Sequence, residues 1–535
     1  FKSGVRQMTY SEETYKPSGG MSVGSFGQSE PQRLSLFING RRFIGFGGNW
    51  GFGESNLNYR EREYDIAVAY HADMNFTMIR NWVGQIGDKE FYEACDRHGI
   101  MVWQDFWLAN PVDGPNPYYT EMFNANACDY LKRIRNHPSI GIYVGRNEGN
   151  PPAGIDDYLR GLVFREHPGL YYISNSAMGV VSGGGPYRAL SPKSYFQSYG
   201  HDKFHSERGM PNVMNYESML LTFGTDKIEP VNTSETPNPV YGLHDYTLGG
   251  GKGSSAQAAS SFNDMIEKAF GRPRDAKQFA EWAQWINYDG YRAIFEGRSE
   301  HRRGMLLWMS HSAWPSMVWQ TYDYYFDPNA AYFGCKKASE PLHIQWNPLR
   351  DDIEVVNYHA FDRTGLTATA SLFNQDGTLQ WTRETKLDIK EDQTVACFPL
   401  EQPETLSDTY FIKLSLTDSD GKQLSDNFYW RGKEDGNYKS LLQLPKVSVC
   451  KNVTVKKTGK EWLIRAVLKN EARTPALMLR LKVAGEKSGR MLLPVFYSDN
   501  YFSLLPGEVK EVDIRLYDAD TYGEKPVLEV LGFNL

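Results

Sequence analysis

Several things are scarce in this sequence, and each scarcity excludes something. There are 5 cysteines in 535 residues: Cys95, Cys128, Cys335, Cys397 and Cys450. None forms a Cys-x-x-Cys pair or sits in a histidine-rich spacing, which argues against a zinc centre. The odd number leaves at least one thiol without a partner in the same chain. The formal net charge is −7 and no lysine- or arginine-rich block occurs, so nucleic acid is not an expected partner. No apolar run approaches the roughly 18 residues that a membrane-spanning helix requires. No repeat of solenoid period runs along the chain.

What the chain has in quantity is aromatic side chains, 14% of all residues, including 33 Tyr and 13 Trp. Most of these must fill cores. The excess suits a ligand such as a pyranose, whose C–H faces stack on rings while nearby polar groups take its hydroxyls.

At 535 residues the chain is too long for one core. Residues 7–32 are rich in Ser, Gly, Glu and Tyr and read as an extended linker. Leu34–Ile38 and Arg41–Ile44, joined by Asn39-Gly40, read as a hairpin. From about residue 43 to 345, strand and helix patterns alternate. Helices are expected over Arg60–Met74, Asp88–His98 (with Asp88 as N-cap), Asn124–Arg135, Ile155–Glu166 and Ala276–Glu296. Strands are expected at Phe76–Arg80, Ile100–Trp103, Ile140–Val144, Tyr171–Ile173 and Met305–Trp308. Repeated βα units over this length imply a parallel barrel. The stretch 209–275, with Gly249-Gly250-Gly251, reads as irregular active-site loops. Beyond residue 348 short alternating runs and the Asp376-Gly377 and Asp420-Gly421 turns read as β-sandwiches. The expected fold is a (β/α)8 TIM barrel followed by two immunoglobulin-like β-sandwiches. The expected divisions are 1–33 (a remnant strand and linker), 34–347 (the barrel), 348–445 and 446–535 (the sandwiches).

On such a barrel, chemistry belongs at the C-terminal ends of the strands. Two glutamates stand there. Glu148 follows the strand Ile140–Val144 in Gly145-Arg146-Asn147-Glu148, and Glu207 follows Lys203-Phe204-His205-Ser206. Enough chain lies between them for two further βα units. A pair of carboxyl groups about 5–5.5 Å apart is what cleavage of a glycosidic bond with retention needs. An Asn before the first Glu can hold a sugar 2-hydroxyl.

These residues resemble glycoside hydrolase family 2. Arg135-Asn136-His137-Pro138-Ser139-Ile140 and Asn147-Glu148 look like that family's acid/base segment, and Ser206-Glu207-Arg208-Gly209-Met210-Pro211 like its nucleophile segment. Gly47-Gly48-Asn49-Trp50 with Glu54, Ile79-Arg80-Asn81-Trp82 and Val102–Trp107 look like its first three barrel strands. Trp308–Trp314, Trp319–Asp323 and Ala331–Gln345 resemble both the exo-β-D-glucosaminidases and the plant-type endo-β-mannosidases. The glucosaminidase branch carries Ser-Asp where this chain has Asn147-Glu148. It also carries an ammonium-binding Glu at the position of Asn81. Both departures favour a neutral sugar, mannose first, although Asn81-Trp82-Val83-Gly84-Gln85 lacks the mannosidase Trp-Gly-Gly.

The resemblance implies a retaining β-glycosidase with Glu207 as nucleophile, Glu148 as acid/base and Asn147 at the 2-hydroxyl, needing no metal and no cofactor. Glu148 has to carry the proton when the bond breaks and Glu207 has to be ionised. The expected sugar-contacting residues are Glu54, Trp50, Arg80, Asn81, Asp105, Trp107, Trp308 and Trp314. Tyr195 is a candidate donor to Glu207, and His205, His311 and Asp323 are neighbouring or rim candidates. The expected partners are an oligosaccharide or polysaccharide substrate and the protein's own preceding domains, a jelly roll and a first sandwich of which Phe1–Arg6 would be the last strand. A secreted or periplasmic location is implied too. The alternatives are an exo-β-D-glucosaminidase, a β-galactosidase or β-glucuronidase type of activity, and a carbohydrate-binding protein without catalysis.

Overall fold

The computed structural model describes residues 5–14, 32–197, 203–233, 236, 238–244, 258–317, 319–359 and 361–535. Gly249-Gly250-Gly251 and Phe1–Gly4 lie outside the described residues. The described chain divides into two units. The first comprises 1–187, 194–210 and 294–314, and the second 188–193, 211–293 and 315–535.

The first unit contains an eight-stranded parallel sheet. Its strands in chain order are β1 (Gly45–Trp50), β2 (Met78–Asn81), β3 (Met101–Asp105), β4 (Ile140–Arg146), β5 (Tyr171–Asn175), β6 (Val181–Ser182), β7 (Phe204–Arg208) and β8 (Gly304–Leu307). The pairing order is 5-4-3-2-1-8-7-6, so β1 meets β8 and the sheet curls round as a (β/α)8 barrel does. Helices α1 (Glu61–Asp73), α2 (Lys89–His98), α3 (Thr120–Ile134) and α4 (Ala153–Glu166) follow the first four strands.

Close approach dictates the glycines of β1. A Cβ on Gly47 would stand 1.6 Å from the Met78 carbonyl oxygen, so no side chain fits between β1 and β2 there. The interior is filled by Met78, Met101, Trp103, Ile142, Val144, Phe204 and Leu306. The hairpin joins that cluster. Strand Gln32–Ile38 pairs with Arg41–Phe43 across Asn39-Gly40, whose φ values of 52° and 77° are those of a left-handed two-residue turn. Leu34 and Leu36 reach the barrel cluster, and the Leu34 N–H donates to the Val180 carbonyl at 3.0 Å.

Three expectations about elements need correcting. The supposed linker contains a strand, Met8–Thr14, paired antiparallel with Gln32–Ile38 and seated through Met8 on the barrel cluster. A linker's polar composition hid it, because only one of its faces is covered. Asp88 does stand at the N-cap of α2, but its carboxylate accepts the Tyr64 hydroxyl at 2.6 Å instead of capping the helix. The stretch 209–275 holds helices Tyr216–Phe223, Pro239–Leu243 and Ala258–Phe270.

The second unit contains these helices, most of Ala276–Glu296, the helix Ala330–Ala338 and two sandwiches. The first sandwich pairs sheets of three and four antiparallel strands. It takes in Leu342–Asn347, assigned above to the barrel, because that segment forms a hairpin with Asp352–Asn357. Its core is built from alternating residues of one sheet, such as Ala368, Ala370 and Leu372 beside their cross-strand partners Leu416, Leu414 and Ile412, together with Ile344, Ile353 and Val355 of the other. The second sandwich, from Val449 to Leu531, has sheets of four and three strands.

Gly47→Ala should destabilise the protein by about 3 kcal/mol or more, by overpacking against backbone. Gly161→Ala, in α4 with open space around it, should change stability by less than about 1 kcal/mol. Denaturant unfolding of both variants checks the contrast.

Candidate active site

Period-two alternation along β2 turns Arg80 inward at the top of the barrel. Its guanidinium has no exposed surface and meets three partners. Nη1 donates to Glu207 Oε1 at 2.7 Å. Nε and Nη2 grip Asp105 at 3.0 and 2.7 Å. Nη2 also donates to Asn147 Oδ1 at 2.8 Å. One cation thereby fixes residues from the ends of β3 and β7 and from just past β4. Burial disfavours the Arg80 cation, but Asp105 and Glu207 outweigh that, and it is held more firmly protonated than usual. Asp105 takes two further donors, Trp103 Nε1 at 2.9 Å and the Val83 N–H at 3.0 Å.

Glu207 receives a second donor on its other oxygen, the Tyr187 hydroxyl at 2.6 Å. Burial, followed by the charges of Glu207 and Glu148, pushes the Tyr187 phenol well up, so it stays a donor. Burial also pushes the Glu207 carboxyl up to about 7. Arg80 opposes the rise, the Glu148 charge adds to it, and the Tyr187 and Arg80 hydrogen bonds pull it back. The balance of these effects leaves the Glu207 carboxyl well above the ordinary carboxylate range.

Glu148 is half-buried, with φ of 46°. Its N–H donates to Ser176 Oγ at 3.0 Å, and Asn110 Nδ2 lies 3.4 Å from Oε2. Asn147 is clamped from behind by its own N–H to the Leu108 carbonyl at 2.9 Å. Trp308, directly after β8, is half-buried and edge-on to Trp82 at 4.9 Å and to Tyr187 at 6.4 Å. Two carboxyl groups whose charges act on each other, one gripped by a cation and a phenol and the other on a rim segment, form a site for paired acid and nucleophile chemistry.

The model of the exo-β-D-glucosaminidase Ig-fold domain matches residues 427–535. A mannosylglycoprotein endo-β-mannosidase of Lilium longiflorum is 27% identical, over 93% of this chain and 63% of its own length. An exo-β-D-glucosaminidase of Streptomyces avermitilis is 28% identical, over 93% of this chain and 60% of its own. The chain is homologous to these two enzymes along nearly its whole length. It spans less than two thirds of the length of these relatives. The crystal structure of the Amycolatopsis orientalis exo-chitosanase superposes with a TM-score of 0.85 at 23% identity, over 99% of this chain and 66% of that one. The β-D-mannosidase of Dictyoglomus thermophilum gives 0.76 at 20% identity, over 99% and 64%. At these identities the likeness is one of fold, and it supports the barrel-plus-sandwich architecture.

Of the residues singled out from the family resemblance, Glu148, Glu207, Asn147 and Arg80 come together. Asp105 lies beneath Arg80, fully buried, as the counter-charge and not as a pocket wall. Several others face elsewhere. Trp50 is fully buried on the outer side of β1, with Nε1 3.0 Å from His71 Nε2 and its ring stacked on His311 at 4.1 Å. Asn81, one residue after Arg80, points outward for the same reason, and its amide exchanges hydrogen bonds with the Ile86 backbone at 2.9 and 3.0 Å. Its lack of charge therefore says nothing about a substrate ammonium. Glu54 Oε2 accepts the Asn56 and Asn58 N–H groups, bracing a rim turn. Trp107 Nε1 donates to the Gly84 carbonyl at 3.0 Å and ties two rim loops together.

Tyr195 is fully buried and its hydroxyl lies 3.4 Å from Met210 Sδ, so the donor to Glu207 is Tyr187 instead. Tyr187 follows Gly183-Gly184-Gly185-Pro186, a segment without periodicity to reveal it. His205 holds that segment through Gly185 O at 2.8 Å. His311 contacts Gly53 O at 2.6 Å. Trp314 is half-buried beside Ser312, whose hydroxyl donates to the Trp314 carbonyl at 2.6 Å. Asp323 belongs to the second unit, where its carboxylate caps the turn at Tyr325 and Asp327.

Because folding raises Glu207 above its ordinary value of 4.5, its contribution to stability is complete below that pH and is lost as pH rises through 7. Glu207→Gln removes that titration. Its unfolding temperature relative to the wild type should increase by about 1–3 °C between roughly pH 5 and pH 8, read by scanning calorimetry.

Proposed function

We propose that the protein containing this chain is a retaining β-glycosidase acting by double displacement, on a neutral β-linked sugar and on β-mannosides first. The observation that carries this reading is the unequal treatment of the two carboxyl groups. Glu207 is buried and fixed by Arg80 and Tyr187 in one orientation, as a nucleophile needs, while Glu148 stands half-buried on the rim segment, as a proton donor needs.

The reactive form has Glu207 ionised, which the Arg80 charge and the Tyr187 hydrogen bond favour. Glu207 then attacks the anomeric carbon while Glu148 protonates the departing oxygen. Glycosylation removes the Glu207 charge; Glu148 then takes a proton from a water whose oxygen bonds to the anomeric carbon as the ester bond to Glu207 breaks, which frees the sugar and restores the carboxylate. Asn147 is oriented by Arg80 to meet the 2-hydroxyl. Asn147-Glu148 in place of Ser-Asp supports the mannosidase side. A second reading, a β-D-glucosaminidase, is favoured by the Ig-fold match at 427–535, and the structure takes away the argument from Asn81 against it.

With the full-length protein and a panel of p-nitrophenyl β-glycosides, one sugar should dominate. Glu207→Gln should lower kcat roughly 10²–10⁴-fold on that substrate. Glu148→Gln should cost less there, because nitrophenolate departs without a proton. Unimpaired turnover by Glu207→Gln would overturn the reading, and fast release from the glucosaminide alone would replace mannose by glucosamine.

A further inference from the structure

The loop between β3 and α3, with the first turn of α3, carries an exposed apolar surface. Val112 is 93% exposed, Tyr118 88%, Tyr119 74% and Met122 62%. Such side chains scattered singly need no explanation, but four within eleven positions, on one rim loop and the first turn of the helix after it, mark a contact surface.

The loop is not slack. Three prolines, Pro111, Pro115 and Pro117, restrict it. The Asn110 side chain accepts the Val112 and Asp113 N–H groups at 2.9 and 2.8 Å. It is also fastened to the segment bearing the proposed acid. Arg146 donates Nε to the Ala109 carbonyl and Nη1 to Asn116 Oδ1, both at 2.7 Å. The Leu108 carbonyl accepts the Asn147 N–H at 2.9 Å, and Asn110 Nδ2 lies 3.4 Å from Glu148 Oε2. The Pro111 ring lies 3.0 Å from where a Cβ on Gly149 would stand. Tyr118 is two residues from Asn116, and so within about 7 Å of it along the chain.

The side of the site matters. An acid that protonates the departing oxygen faces the leaving group, not the sugar attached to the nucleophile. A loop bolted to that acid therefore borders the leaving group. Tyrosine rings offer flat apolar faces and a hydroxyl at low conformational cost, which suits the C–H faces and hydroxyls of a further sugar. We propose that the 107–122 loop, through Tyr118 and Tyr119, is a subsite for a leaving group that is itself a glycan chain of two or more sugar units. This rests on the glycosidase reading and adds that the natural leaving group is an oligosaccharide, not a small alcohol.

The test compares the full-length wild type with Tyr118→Ala/Tyr119→Ala on two substrates of one sugar: p-nitrophenyl β-mannoside and β-1,4-mannotriose, or the glucosamine counterparts if that sugar is preferred. The ratio of kcat/KM for the trisaccharide to that for the aryl glycoside should fall by at least about tenfold, chiefly through KM. Tyr118→Phe/Tyr119→Phe, which keeps the rings, should hold the ratio within about threefold of the wild type. A ratio unchanged by the alanines in an enzyme that cleaves both substrates overturns the subsite alone. Equal losses on both substrates, or a lowered unfolding temperature or changed assembly mass with an unchanged ratio, overturn it in favour of a surface covered by another domain or a second copy. A wild type that cleaves neither substrate overturns the glycosidase reading and the subsite with it.

Discussion

A guanidinium with no exposed surface is costly unless every face of it finds an anion or an acceptor. Arg80 meets that condition with Asp105, Glu207 and Asn147, so the charge balance of this one side chain decides where three other strand ends stand. Asp105 in turn spends its remaining capacity on Trp103 and the Val83 N–H, which anchors the network in the barrel core and in the rim after β2. A planar fork is required for this. A lysine would offer one point of charge and could not address two carboxylates and an amide in fixed directions.

Two opposing effects then act on Glu207. Burial favours its neutral form, while Arg80 and Tyr187 favour the anion. A carboxyl balanced near neutrality is poised to change state when a substrate displaces water or when the neighbouring Glu148 charge changes. The fold's contribution is rigidity beneath this balance. The barrel interior is packed through Trp103, Phe204 and Leu306, and the amino-terminal hairpin adds Leu34 and Leu36 to the same cluster.

Much of this was legible in the sequence. The βα alternation gave the barrel, and the strand-end positions of Glu148 and Glu207 gave the pair. Arg80 could be found because a charged residue ending an apolar strand must face something ionised. The misplacements have simple causes. Trp50 and Asn81 each follow an inward-facing residue, Asn49 and Arg80, and strand alternation sends them outward. That signal was present, and family resemblance obscured it. Tyr187 left no signal, since it sits in a glycine-rich loop whose shape depends on contacts such as His205 to Gly185. Met8–Thr14 was hidden because an edge strand with one covered face has the composition of a linker. Asn110 was missed because its role depends on the fold of a loop, and loop conformations follow from tertiary contacts more than from local pattern.

The account stands or falls on the identity of the group that attacks the sugar. The direct measurement is to incubate the full-length protein with a 2-deoxy-2-fluoro-β-glycosyl fluoride of its preferred sugar, digest it, and locate the labelled residue by mass spectrometry. The account predicts one covalently bound fluorosugar, on Glu207, with loss of activity in proportion to labelling. Labelling of Glu148 or another carboxylate, or inversion at the anomeric centre with no adduct formed, would contradict it.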